Sequence, residues 1–154
     1  MIRLTRAAGL AALAALLTAT GCKPTPPPVV PAEGTVYLDG QPLPFAQIDF
    51  IPELKDFGAE MNSTAVSDEN GKFVLKSAYQ QQSGAAVATH RVLVTEFVPD
   101  DMRSMGAQGK LAAYQAKLKN RPIPDVYAVY IRTPLTVEVK PGQTTYDLQL
   151  TRRQ

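Results

Sequence analysis

The chain has 154 residues, 45% hydrophobic and 19% charged, with 16 Lys and Arg against 14 Asp and Glu, one cysteine, one histidine and no tryptophan. That balance gives no electrostatic case for nucleic acid or for an anionic surface, and a lone cysteine excludes an internal disulfide. One imidazole and one thiol cannot supply a zinc site or a paired-histidine centre, so neither metal nor cofactor is expected.

Arg3 and Arg6 precede an uncharged apolar run at residues 7–17, AAGLAALAALL. The run is shorter than the ~20 residues of a spanning helix and suits the core of a secretory signal. It leads into Ala19-Thr20-Gly21-Cys22. This resembles the lipobox of bacterial lipoproteins, cut before a cysteine whose sulfur carries diacylglycerol, with Ala19 where the pattern usually has leucine. The resemblance implies a signal peptide at 1–21, lipidation of Cys22, and a membrane-anchored lipoprotein of the bacterial cell envelope. Lys23, in place of Asp, is similar to the outer-membrane sorting pattern. Ordinary signal cleavage is the alternative and would leave a free thiol. Loss of 1–21 removes Arg3 and Arg6, leaving 14 basic residues against 14 acidic.

Residues 22–33 read as the lipidated Cys and a tether. Five of the eight residues 24–31 (PTPPPVVP) are proline. Proline locks φ and removes N–H donors, so a semi-rigid spacer is predicted. At about 3.1 Å per residue it would hold the domain some tens of ångströms from the bilayer.

From Gly34 the periodicity is two. Val36 and Leu38 alternate with Thr35 and Tyr37, and Asp39-Gly40 supplies a turn before Ala46, Ile48 and Phe50 alternate with Gln47 and Asp49. Residues 63–67 lead through Asp68-Glu69-Asn70-Gly71 to Phe73 and Leu75. In residues 90–97, His90, Val92 and Val94 share a face. Leu135, Val137 and Val139 are followed by Pro141-Gly142 and then by Tyr146, Leu148 and Leu150. Seven short alternating strands with turns between them indicate an antiparallel sandwich or barrel. Between residues 99 and 125, Leu111, Tyr114 and Leu118 fall at helical spacing, with Asn120 and Pro122 as stop signals. Lys110, Lys117, Lys119 and Arg121 make this insert basic, and its apolar stripe is expected to cap an open end of the sandwich.

The segments GTVYLDGQPLPFAQIDFIP, AVSDENGKFVLKS, THRVLV, IPDVY, TPLTVEV and YDLQL, in that order, resemble carboxypeptidase regulatory-like domains with a prealbumin-like (transthyretin-like) sandwich, in the form of short bacterial lipoproteins. The resemblance spans roughly residues 33–151. It implies that 34–154 form one all-β domain: a seven-stranded antiparallel β-sandwich with prealbumin-like or Ig-like Greek-key topology and one short helical insert near 105–120. Where the family commonly has Gly-x-Tyr, this chain has Ala88 and His90. Its end, Leu150-Thr151-Arg152-Arg153-Gln154, lacks the Tyr-Arg-Gly-Ser of transthyretin-related hydrolases, which also use paired histidines.

A Ser-His-acid triad would have to use His90, which the alternation makes a packed strand residue. There is no Gly-x-Ser-x-Gly elbow and no Ser-x-x-Lys. Residues 68–71 resemble a calcium loop faintly, but Lys72 stands where an oxygen ligand is needed. Asp100-Asp101 reads as a solvated loop, and residues 106–110 lack the spacing of a phosphate loop. The leading expectation is a non-enzymatic, monomeric envelope module that binds or scaffolds a protein or, less readily, a glycan. Without tryptophan, the candidate sugar platforms are Tyr37, Tyr79, Tyr127 and Tyr130. A purely structural lipoprotein and a hydrolase with an unrecognised site are the alternatives. Gln41, residues 79–82 and the 99–125 insert are the expected contact segments.

Overall fold

A computed structural model describes residues 24–104 and 106–153. The signal segment, the acylable Cys22 and Lys23 lie outside the described residues. The described chain is mostly β, with strands β1 (Val29–Val30), β2 (Glu33–Leu38), β3 (Gln41–Pro42), β4 (Ala46–Pro52), β5 (Ser63–Val66), β6 (Lys72–Val74), β7 (Lys76–Ser77), β8 (Ala85–Ala86), β9 (Thr89–Glu96), β10 (Thr136–Glu138) and β11 (Leu148–Leu150). One α-helix, α1 (Gln108–Gln115), interrupts them. It is shorter than the expected 105–120.

Alternation decides what each long strand buries. In β4, Ala46, Ile48 and Phe50 point inward and are fully buried, while Gln47 and Asp49 take the other face. In β9 the inward set is His90, Val92 and Val94. A five-stranded sheet runs β10-β9-β4-β5-β7, and a second sheet runs β11-β2-β3 with β6 also on β2. Both contribute to one core: Val36, Leu38, Phe73 and Leu148 from the second sheet pack with Ile48, Phe50 and Val92 from the first. Burying side chains of this size contributes about 1.5–3 kcal/mol each, which makes the shared core the main source of stability.

Eleven strands replace the expected seven among the described residues, because β1, β3, β7 and β8 are two-residue pairings too short to show a period. The pairing is also not wholly antiparallel, since β11 lies parallel to β2 with Leu148 opposite Val36. At three expected turns the partner is not the next long strand. Asp39-Gly40, with φ of 52° and 76°, closes the β2–β3 hairpin, and β4 then belongs to the other sheet. The turn at 68–71 is closed by the Asp68 carboxylate accepting from the N–H groups of Asn70 and Lys72. It carries the chain from β5 in one sheet to β6 in the other. Pro141-Gly142 likewise leads from β10 on β9 to β11 on β2. Each turn redirects the chain, and the pairing beyond it is not set by the turn alone.

The long strands define two ends. At one end, Pro52 pairs with His90, Glu53 N–H reaches Thr89, Val139 N–H reaches Ala88 and Glu33 N–H reaches Thr144. At the other, Ala46 pairs with Glu96 and Leu150 with Leu38. The proline-rich segment joins the first end, sooner than a spacer reaching residue 33 would allow. Val87 N–H donates to Pro28 O, β1 pairs with β8, and Leu75 N–H donates to Ala32 O. Gly84 is required there, with φ of 115° and Val30 O only 1.9 Å from where a Cβ would sit.

Candidate functional groove

The outer face of the five-stranded sheet is built from the residues that alternation turns away from the core. Gln47 and Asp49 of β4 lie beside Thr95 and Leu93 of β9. The Gln47 amide donates to the Asp49 carboxylate at 3.0 Å and to the Thr64 hydroxyl, so these polar groups are held in place. After Glu96 the chain leaves the sheet as Phe97, Val98 and Pro99, turns through a 3₁₀ segment at Asp100–Met102, and enters α1. Arg103 fastens this departure by donating to Val98 O at 3.0 Å and pairing with Asp100 at 3.3 Å.

The return from the helix is fastened more firmly. Asn120 adopts φ of 59°, a left-handed conformation asparagine tolerates. Its side-chain amide donates to the carbonyls of Leu38, Gln41 and Pro42, at 3.0, 3.1 and 3.3 Å, and its oxygen accepts from Arg152. Arg121 pairs with Glu96 and donates to Pro44 O and Phe45 O. Asp39 in turn holds Arg152, whose hydrogen bonds keep the Asp39 carboxyl below the usual carboxylate range.

Between sheet and insert lies an open groove of about 750 Å³. Gln47, Asp49 and Thr95 form its polar floor, and Phe97, Met102 and Leu111 its apolar wall, with Arg103 at the rim. Asp49 is partly buried and has no ion-pair partner among the described residues. An unpaired carboxylate beside an apolar wall favours a cation joined to an apolar group.

The insert's expected stripe is only half buried. Leu111 and Tyr114 lie within α1, and Leu118 follows its end. Desolvation raises the pKa of the Tyr114 hydroxyl, with Arg121 pulling it down and Glu96 adding to the rise. Lys110, Lys117 and Lys119 are exposed.

His90 lies fully buried, with Nε2 2.8 Å from Ala86 O and the ring 5.6 Å from that of Phe50. Nδ1 is buried without a hydrogen-bond partner. Desolvation holds its pKa below the ordinary 6.5, against the opposing pull of the Ala86 and Phe50 carbonyls. A neutral imidazole closed off from solvent is a core residue, not a base poised for substrate. Tyr127, a candidate sugar platform, is corrected to a core residue. It is 1% exposed, and its hydroxyl exchanges hydrogen bonds with the backbone of Thr151. Tyr37 and Tyr79 are half buried, and Tyr130 is exposed beneath the Arg91 guanidinium. Gln41 is exposed, although its carbonyl is engaged by Asn120. Gln80 and Gln81 form an exposed turn with φ of 51° and 56°.

Sequence reasoning passed over Gln47 and Asp49. They sit on the wet face of an alternating strand, and no local signal says that an insert fifty residues later will roof them. Among the described residues no cluster of three His, Cys, Asp or Glu could hold a metal ion, and no helix is long and apolar enough to cross a membrane. No family model, curated protein or solved structure matches the chain.

Proposed function

We propose that this chain is a lipid-anchored, non-enzymatic module of the bacterial cell envelope that binds a protein partner through the groove between β4, β9 and the insert. The observation that carries the reading is the partly buried Asp49 carboxylate, with no ion-pair partner among the described residues, beside the apolar wall of Phe97, Met102 and Leu111. A peptide segment bearing a basic side chain next to apolar ones fits both surfaces. A glycan fits less well, because Tyr127 is in the core and no tyrosine lines the groove. Two sheets facing one core, linked by turns that change sheet, support a prealbumin-like sandwich of the carboxypeptidase regulatory-like kind. The anchor on Cys22, in the outer membrane, and a monomeric state belong to the same reading. The enclosure of His90 favours binding over catalysis.

The test is a photo-reactive residue placed at Gln108 in intact envelopes, with Asn70 as an off-groove control. Binding at the groove yields a discrete adduct from position 108 that disappears with Asp49→Lys and is not seen from position 70. Equal labelling from both positions, or an adduct indifferent to Asp49→Lys, would reject the groove as the binding site.

A further inference from the structure

The N-terminal segment enters the fold earlier than its composition suggests, and this determines how the domain meets the membrane. Val87 N–H holds Pro28 O at 2.9 Å, Val29 and Val30 pair with Ala86 and Ala85, and Ala32 is 2% exposed. Six peptide links separate Cys22 from Pro28, so at an extended limit of about 3.3–3.6 Å per residue the two lie no more than about 22 Å apart. This span attaches at the end of the domain where β9 begins. The groove lies where β9 ends, beside Thr95 and Glu96. The eight residues of β9 separate the two by about 25 Å.

We infer that the domain is moored close to the lipid surface, with the loops at 53–58, 79–83 and 140–143 facing the lipid and the groove opening away from it. This rests on the lipid at Cys22. The occupant of the lower end is the bilayer surface itself, because the span from Cys22 to Pro28 is too short to place that end elsewhere. Charge is not what holds it: Glu53, Lys55, Asp56, Glu138 and Lys140 bring both signs to this end. Mooring is mechanical and so indifferent to the charge of the lipid. A partner in the groove approaches from the compartment side, beyond the domain.

Because lipid occupies the only cysteine of the chain, a single introduced cysteine can be labelled uniquely. The full chain is expressed with Gln143→Cys or Asn70→Cys, and the acylated protein is purified, labelled with a fluorophore and placed in vesicles containing headgroup-nitroxide lipid. The expected result is loss of most fluorescence at position 143 and little loss at position 70, in neutral and anionic vesicles alike. A flexible insert of about ten residues after Thr25 should restore fluorescence at position 143 while leaving the fold untouched. Equal quenching at both positions, quenching at neither, or orientation seen only on anionic lipid would overturn the inference. A mass spectrum showing free Cys22 would instead remove the lipid reading beneath it, so the two failures are distinguishable.

Discussion

Arg121 places Nε 2.5 Å from the Glu96 carboxylate, joining the chain that leaves the insert to the end of β9 from which the insert departed. The insert is thereby closed into a loop pinned at both feet. Ile123 N–H also points at Glu96, and Arg121 continues to the carbonyls of Pro44 and Phe45. The Arg121 side chain is only 13% exposed, so removing it leaves a carboxylate and two carbonyls short of a donor.

Arg121→Ala is therefore expected to cost about 1.5–3 kcal/mol, the range for hydrogen bonds to a charged group. Limited proteolysis should cut first within residues 99–119, before global unfolding. A variant that melts like wild type and resists cleavage there would show that the insert is held by other contacts.

Phe50 and Phe73 meet across the core with ring centroids 6.3 Å apart and come from different sheets. Either alanine substitution should cost about 3–5 kcal/mol by chemical denaturation. Since the two side chains touch, the double variant should lose less than the sum of the singles. Strict additivity would argue against the contact.

His90 gives the fold a predictable acid sensitivity. Burial lowers its folded-state pKa below 6.5, so the unfolded chain takes up a proton more readily. The stability due to neutral His90 is fully present above about pH 6.5 and is lost as pH falls toward the folded-state value. Denaturation midpoints should decline across that window, and His90→Leu should remove the decline whatever its own baseline. An unchanged slope in His90→Leu would assign the sensitivity to carboxylates instead.

Gly84 tests the early docking of the N-terminal segment. Gly84→Ala must drive a Cβ into Val30 O at a φ only glycine adopts easily. The expected outcome is faster amide exchange at Val87, whose N–H donates to Pro28, with protection in β4 and β9 retained. Unchanged exchange at Val87 would mean that β1 holds without that glycine.

Much of the strand content was legible because each long strand keeps one wet face. His90, Val92 and Val94 share an inward face, as their spacing predicts. Pairing was not legible. Asp39-Gly40 and residues 68–71 carry strong turn chemistry, yet a reversal looks the same whether the next strand joins its neighbour or crosses the core. The candidate groove was half legible: the insert stood out by its change of period, whereas Asp49 became notable only once the insert lay over it.

The proposed lipid on Cys22 bears most directly on the whole account, since both the proposed function and the inferred orientation depend on it. Intact-mass and N-terminal analysis of protein extracted from membranes would decide it. The account predicts a chain beginning at Cys22 with a diacylglyceryl-sized addition on that residue, and loss of the mature form with Cys22→Ser. A mature chain with an unmodified thiol at Cys22, or one released without detergent, would contradict it.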